Sequence, residues 1–316
     1  MRKNRWLRVF SLLLIVALPL LLAGCDSILM DPKGQVGAEE KRLILTAFGL
    51  MLIVVIPVIV MTIMFAWRYR SGNSEAGYSP DWAHSHVIEV IVWFIPCVII
   101  VFLAILTWHT SHSLDPHKPL DVDSDAEVME IGVVSLDWKW LFIYPEQGIA
   151  TVNEVVFPAD VPVHFRVTSG SVMNSFMIPR LGSQIYAMAG MDNDVHLIAD
   201  EQGTYWGRST NYSGAGFSEM IFEAQVTSQQ GFDAWVEEVR NSPDTLAFPN
   251  GYQALAEPSI DHPVEYFSNV SPDLYDQIIQ SFHDGSEMSG HGSHASGHGE
   301  HGGEKQAMPM SAEAAE

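Results

Sequence analysis

The side chains that could do chemistry in this chain are few and scattered. Glu89 is the single charged residue in the apolar stretch 87–108. A carboxylate inside a membrane is costly and often belongs to an ion or proton path, which makes Glu89 a candidate proton-path residue. Its place only two residues into the stretch leaves a second interpretation open, in which the carboxylate reaches water at the headgroup level.

Histidines are concentrated near the C-terminus, where His291, His294, His298 and His301 could chelate a metal ion. Their spacing is irregular, and the surrounding residues offer little apolar surface to bury. We therefore expect residues 286–316 to be a disordered, solvated His/Gly/Ser-rich tail. The rest of the chain contains no Ser-His-Asp arrangement, phosphate-binding loop or zinc-type spacing.

The two cysteines lie in different settings. Residues 1–24 combine a basic start and an apolar core, and Leu22-Ala23-Gly24-Cys25 follows. This stretch resembles the lipoprotein box of bacteria, which implies that 1–24 is a signal peptide and that Cys25 is lipidated. The same resemblance implies that Asp26 keeps the protein in the inner membrane. An uncleaved signal anchor is the alternative.

Cys97 lies within the second apolar stretch, so it cannot form a thiolate pair with Cys25 for a metal. We expect it to pack as a small hydrophobic residue in a helix.

Charge and hydrophobicity are separated along the 316 residues. The chain has 38 acidic and 16 basic residues, a formal net charge of −22, and is 47% hydrophobic. Residues 1–108 hold 9 basic and 7 acidic side chains, whereas residues 109–316 hold 7 and 31. The second part therefore lacks the concentrated Lys and Arg that nucleic acids or anionic lipid surfaces require.

Two stretches predict transmembrane helices, residues 43–67 and residues 87–108. Each is long enough to cross about 30 Å of hydrocarbon, and Pro57 and Pro96 are tolerated within such helices. The signal sequence predicts the topology. Residues 25–42 form a periplasmic N-terminal segment, residues 68–86 a cytoplasmic loop, and residues 112–285 a periplasmic domain.

The outer domain has the pattern of short β-strands separated by Gly and Pro residues. The clearest predicted strands are 128–134, 138–144, 161–168, 195–199 and 219–227. Amphipathic helices are predicted at 231–241 and 272–282. The fold class is therefore a membrane-anchored α + β protein, with a two-helix hairpin followed by an all-β Greek-key sandwich or barrel and C-terminal helices.

Two spans followed by Asp-Trp-Lys-Trp at 137–140 resemble subunit II of the haem–copper respiratory oxidases. The resemblance implies a cupredoxin-like domain, which in the cytochrome c oxidase branch binds the dinuclear copper centre CuA. That branch carries V-x-H-S-[FW]-x-x-P and C-x-E-x-C-x-x-x-H-x-x-M. The corresponding stretches here are Val-Met-Asn-Ser-Phe-Met-Ile-Pro at 172–179 and Ser-Thr-Asn-Tyr-Ser-Gly-Ala-Gly-Phe-Ser-Glu-Met at 209–220.

Nearly every copper ligand is replaced in these stretches. The two histidine positions hold Asn174 and Phe217, the glutamate position holds Asn211, and only Met220 matches its motif. The bridging cysteine positions hold Ser209 and Ser213, whose neutral hydroxyls are poor substitutes for the soft thiolates that hold copper. We expect no metal in this chain and a packing role for Met220.

A copper-less domain on this scaffold is typical of the quinol oxidase branch, and the chain resembles subunit II of the bacterial cytochrome bo-type ubiquinol oxidases over residues 25–285. The resemblance implies a proton-pumping complex that oxidises ubiquinol and reduces O₂. Haem b, haem o and CuB are then expected in subunit I, and no cofactor in this chain. Expected partners are subunit I, smaller membrane subunits and the lipid bilayer.

The resemblance also assigns roles to single residues. Trp138 and Trp140 match an aromatic stretch between CuA and subunit I, and without CuA we expect them to be interface packing residues. Glu89 lies seven residues before Pro96, like the acid near the entrance of the K-channel proton path in relatives. Two alternatives remain, a copper-containing cytochrome c oxidase subunit and a non-enzymatic periplasmic lipoprotein.

Overall fold

The structure, a computed structural model, describes residues 27–73, 77, 83–120 and 128–283. Two long helices come first, α1 at Gln35–Arg68 and α2 at His86–Ser113. Both are long and apolar enough to cross a membrane, and they continue through Pro57 and Pro96. They contain the two predicted spans. Because α1 begins at Gln35, much of the predicted N-terminal segment is an extension of the first helix.

Eleven strands in the described residues form two sheets. Their bounds are β1 Met129–Leu136, β2 Lys139–Tyr144, β3 Ile149–Val152, β4 Glu154–Pro158, β5 Val163–Ser169, β6 Asn174–Ile178, β7 Gly182–Ala187, β8 Asn193–Leu197, β9 Gly203–Ser209, β10 Ile221–Thr227 and β11 Glu265–Phe267. One sheet has the order β11-β3-β2-β1-β5-β8, and the other β4-β10-β9-β6-β7. The pairs β1/β5 and β4/β10 are parallel, and the other pairs are antiparallel. This is the expected cupredoxin-like Greek-key sandwich.

The six-stranded sheet is buried on both faces. Its inner face packs against the other sheet in a core that includes Trp140 and Phe165, and the same core extends to α3 at Gln229–Arg240. Its outer face is covered by α4 at Asn250–Ala256 and α5 at Leu274–His283. Double-sided burial explains why β1 and β2 are nearly continuous apolar runs rather than alternating ones.

The segment before and at the start of α1 is docked on the β domain. The backbone N–H groups of Lys33 and Gly37 donate to the carbonyls of Arg180 and Leu181, at 2.7 and 2.9 Å. The Arg180 side chain pairs with Asp31, and Lys33 Nζ lies 2.8 Å from a carboxylate oxygen of Glu201. We call residues 31–37, with these contacts, the N-terminal clamp.

The clamp leaves no room for a side chain at its centre. A Cβ added to Gly34 would lie 2.2 Å from the Ile198 carbonyl oxygen, a distance that real Cβ atoms do not adopt. The backbone at Gly34, just before α1, therefore approaches the backbone between β8 and β9 as closely as only glycine permits.

All five predicted strands and both predicted helices of the outer domain are present, with ends shifted by a few residues. Strands β3, β4, β6, β7, β9 and β11 and helix α4 were not predicted. The predicted lipidation site Cys25, Asp26 and the histidines of the tail lie outside the described residues.

Candidate functional site

The six positions that the resemblance aligns with copper ligands, called here the former copper positions, meet at one end of the sandwich. Asn174 begins β6, Ser209 ends the neighbouring strand β9, and the other four positions follow on the loop to β10 and the 3-10 turn Phe217–Glu219. Antiparallel pairing of β6 with β9, in which Phe176 is the register partner of Ser209, brings the two stretches together. The spacing that carried the resemblance therefore corresponds to a real cluster in space.

The buried part of this cluster is held by hydrogen bonds between its own members. Asn174 and Ser209 are 0% and 3% exposed, and the Ser209 hydroxyl donates to Asn174 Oδ1 over 3.0 Å. The Ser209 backbone N–H donates to the Met220 carbonyl over 3.2 Å. Met220 itself is 1% exposed and belongs to the core between the sheets, as its predicted packing role requires.

The remaining former ligand positions line the rim of the cluster. Asn211 Nδ2 donates to the Met173 carbonyl over 2.9 Å, which ties the loop to the start of β6. The Ser213 hydroxyl lies 4.0 Å from the Met220 sulfur. The Phe217 ring makes an edge contact with Tyr212, with 5.6 Å between ring centroids.

Two further serines extend the polar cluster into the core, and sequence reasoning missed them. Asn174 Nδ2 donates to the Ser135 hydroxyl over 3.4 Å, and that hydroxyl donates to Ser169 Oγ over 2.9 Å. Both serines are fully buried on the paired strands β1 and β5. The available signal was a serine near the end of each of these two strands. We call Ser135, Ser169, Asn174 and Ser209 the polar cluster.

Trp138 is positioned by an unusual backbone and by small residues opposite its ring. Its φ is +69°, in the left-handed region that costs a non-glycine residue about 1–3 kcal/mol. Its indole Nε1 donates to the Ser213 carbonyl over 3.0 Å. A Cβ on Gly216 would lie 2.6 Å from the ring, so the loop closes over Trp138 only because glycine stands there.

Trp140 is fully buried, which corrects its predicted place at an interface. Its ring packs edge-on against Phe176 and Phe222, with 5.5 and 5.7 Å between centroids. Residues i and i+2 of a regular strand share a face, but Trp138 precedes β2 in the left-handed region, so its half-buried ring does not follow Trp140 into the core.

Lys139, between the two tryptophans, is 2% exposed although it is a cation. Its Nζ donates to the Glu257 carbonyl over 2.8 Å and to the Ser259 hydroxyl over 2.6 Å. Burial lowers the pKa of Lys139, because desolvation disfavours the charged amine. Lys139 therefore anchors the segment after α4 and is directed away from the former copper positions.

The donors at the former copper positions do not fit CuA. They are two amides, two hydroxyls, one phenyl ring and one thioether, without a thiolate or an imidazole. Soft bridging sulfur is what holds a copper pair, and the Ser209 hydroxyl is already committed to Asn174. Among the described residues, no group of three His, Cys, Asp or Glu side chains is arranged to hold a metal ion.

Glu89 lies in the first turn of α2, far along the chain from the polar cluster. One of its carboxylate oxygens is 3.6 Å from His86 Nδ1, and its side chain is 53% exposed. The structure thus places an acid and a histidine together at the start of α2. Cys97 is exposed on the same helix, so within this chain it is not packed as predicted.

Two family models match the β domain. The model described as "Cytochrome C oxidase subunit II, periplasmic domain" matches residues 131–227, which cover the sandwich and the former copper positions. The model described as "COX Aromatic Rich Motif" matches residues 240–286, the segment that covers the outer face of the six-stranded sheet.

Curated relatives match nearly the whole chain. Cytochrome bo(3) ubiquinol oxidase subunit 2 of Pseudomonas putida is 57% identical over 89% of this chain and 88% of its own length. Ubiquinol oxidase subunit 2 of Acetobacter aceti is 51% identical over 90% of this chain and 92% of its own length. A solved periplasmic domain of cytochrome oxidase subunit II from Bradyrhizobium japonicum is 23% identical over 37% of this chain and 96% of that one, with a TM-score of 0.35.

Proposed function

Because the chain belongs to the subunit 2 family of the cytochrome bo(3) ubiquinol oxidases, we propose that its outer domain is a copper-free cap that assembles the complex and receives no electrons. The chain is a membrane-anchored subunit of a respiratory enzyme complex. The single observation that carries the proposal is the polar cluster, because it joins former ligand positions to each other and offers no donor set for copper.

The chemistry of the substrate agrees with a cap. Ubiquinol is lipid-soluble and reaches the complex within the bilayer, so its electrons need no relay on the periplasmic side. We place haem b, haem o, CuB and the coupled proton pumping with subunit I. This chain contributes binding surface, through its two helices and through the outer domain.

The helices have surface for such binding. The most apolar 18-residue stretch of each of α1 and α2 is 0% buried within the chain, so lipid or partner helices must cover these stretches. Next to the polar cluster, Val172, Met173 and Tyr212 are 53%, 44% and 76% exposed. We propose that this second apolar surface rests on the outer face of a membrane subunit.

Purification from membranes in mild detergent tests the proposal. The tagged chain should bring down a haem-bearing subunit, seen in the reduced-minus-oxidised spectrum. Met173→Ser with Tyr212→Ser should lower the haem recovered per chain, because it removes apolar contact area. Trp206→Ser is the matched control, since Trp206 is 60% exposed in the middle of β9 rather than at the end of the sandwich that carries the polar cluster. A truncation lacking 112–316 that still assembles an active complex would refute the cap.

We also propose that both helices span the inner membrane, with a lipid on Cys25 and the β domain in the periplasm. The family model for a periplasmic domain and the two apolar helices support this topology. Cys25→Ser should abolish incorporation of radiolabelled palmitate. The hairpin should still resist extraction by carbonate, because its insertion depends on the apolar helices.

Glu89 is proposed to lie at the entrance of a proton path. Its neighbour His86 is a second titratable group at the same helix start, which suits proton transfer from water. Glu89→Gln should slow turnover of the intact complex and the proton-coupled phase of haem oxidation. Glu238→Gln, which alters an exposed carboxylate on α3, should leave both rates unchanged. Unaltered kinetics of the Glu89 variant would exclude this role.

A further inference from the structure

A cleft lies where the two helices meet the β domain. It has a volume of about 370 Å³, within the range of about 300–1,000 Å³ typical of small-molecule sites. One wall is the start of α1, another is the chain after α2, and the third is β8. The former copper positions are not part of its lining, so it is separate from the candidate site.

The height of the cleft matches the headgroup layer of a bilayer. Glu39 precedes the apolar stretch 43–67 by four residues, and Ser113 follows the stretch 87–108 by five, which places both about 6–8 Å beyond the hydrocarbon. The headgroup layer on each side of a membrane is about 5–8 Å thick. The lower rim of the cleft therefore opens at the level of phospholipid headgroups when both helices span the membrane.

The lining carries both signs of charge. Lys118 is exposed and offers an ammonium group, whereas Glu39 and Asp115 offer carboxylates. Hydrogen bonds from the backbone and ring of His117 hold the pKa of Asp115 below its usual value, so this carboxylate is ionised at neutral pH. Val36, Leu114 and Leu120 supply apolar surface between the charges.

From these features we propose that the cleft binds the headgroup of a zwitterionic phospholipid with a phosphate and a primary ammonium, such as phosphatidylethanolamine. Lys118 pairs with the phosphate, and Glu39 and Asp115 accept hydrogen bonds from the ammonium group. The apolar residues contact the upper ends of the acyl chains. The proposal is independent of the copper-free cap and depends on the transmembrane placement of α1 and α2.

Charge argues against occupation by the chain itself. The segment that continues from the cleft, residues 121–127, has four acidic residues and no basic one. Its seating beside Glu39 and Asp115 would bring like charges together in the same small volume. An anionic phospholipid meets the same two carboxylates without an ammonium group to satisfy them.

Native mass spectrometry of the detergent-purified complex tests the proposal. The complex is mixed with micelles containing phosphatidylethanolamine or phosphatidylglycerol. Lys118→Gln with Glu39→Gln should bind about one phosphatidylethanolamine fewer per chain, with roughly tenfold weaker affinity for that lipid, because two charge-assisted contacts are lost. Binding of phosphatidylglycerol should not differ between variant and wild type.

The matched control is Arg208→Gln with Glu223→Gln, which also removes one charge of each sign but on the other sheet. It should bind phosphatidylethanolamine like the wild type. The haem spectrum confirms that each complex is assembled. If the double variant fails to assemble, the single substitution Lys118→Gln replaces it, because Lys118 is exposed. Equal phosphatidylethanolamine binding in cleft variant and wild type overturns the proposal. Displacement of the lipid by equimolar inorganic phosphate also overturns it. The same holds if the cleft variant loses as much phosphatidylglycerol binding as phosphatidylethanolamine binding.

Discussion

The Ser209 hydroxyl donates a 3.0 Å hydrogen bond to Oδ1 of Asn174, so two positions that bind copper in the cytochrome c oxidase branch bind each other in this chain. The pair is nearly inaccessible to solvent. What remains at this end of the domain is therefore a structural element with its own stability, on which measurable consequences depend.

Removal of the Ser209 hydroxyl should destabilise the domain. Ser209→Ala leaves Asn174 Oδ1 without its donor in a buried site, which costs about 1–3 kcal/mol in the free energy of unfolding. Urea titration of the chain in mild detergent, followed by tryptophan fluorescence, measures this change. Thr204→Ala, an exposed position on the same strand, should change stability by less than about 0.5 kcal/mol. Equal effects of the two variants would show that the pair is energetically irrelevant.

Restoring the ligands should restore copper binding, because the structure brings all six positions together. The variant combines Asn174→His, Ser209→Cys, Asn211→Glu, Ser213→Cys and Phe217→His, with Met220 kept. We expect about two copper ions per chain by metal analysis, together with a thiolate-to-copper absorption band.

The control for this experiment leaves both serines in place and makes the other three changes. It should bind no copper pair, since hydroxyls do not replace bridging thiolates. Stoichiometric copper in the unaltered chain would contradict the assignment of these positions and favour a cytochrome c oxidase role.

Gly34→Ala should open the N-terminal clamp. The new Cβ would lie 2.2 Å from the Ile198 carbonyl oxygen, so α1 must move away from the β domain. Hydrogen exchange at Lys33 and Gly37, whose N–H groups donate to Arg180 and Leu181, should accelerate by at least tenfold. Gly49→Ala on the same helix meets nothing within 4 Å and should leave these amides protected.

Stability should fall as the medium becomes acidic through the pH range just below 6.5. Burial lowers the pKa of His196 from 6.5, with the stacked His164 as a second cause and Asp194 opposing it. The folded state then binds fewer protons than the unfolded state, so the free energy of unfolding rises with pH in that window and levels off above it. His117 is a further charge that lowers the pKa.

Urea titrations from pH 5 to pH 8 measure this slope. His196→Gln should reduce it, and His283→Gln, at the exposed end of α5, should not. An unchanged slope in the His196 variant would assign the pH dependence to other groups.

The helices and strands that were predicted correctly are those with a clear hydrophobic pattern within one short stretch of sequence. The two spans are long uncharged runs, and the first two strands are apolar because both faces of their sheet are covered. Strand β6 was missed because it is short and begins with two polar residues, and β7 and β9 because they carry glycine and polar residues without a strong apolar period.

The candidate site was predicted from motif spacing, but its internal bonding was not. Ser135 lies 39 residues from Asn174 in sequence and comes close to it because β1 pairs with β5, whose last residue, Ser169, is five residues before Asn174. The burial of Trp140 likewise depends on which face of β2 meets the opposite sheet. These features are set by tertiary packing between segments that are distant in sequence. Patterns within one short stretch of sequence therefore do not predict them.

The N-terminal clamp imposes an order on biogenesis. Asp31 and Lys33 contact Arg180 and Glu201, which lie 149 and 168 residues further along the chain. A ribosome releases the first helix long before it has made the residues that fasten its outer end. Under the proposed membrane topology, closure of the clamp therefore follows insertion of the first helix, and a newly folded domain captures a helix that already lies in the bilayer.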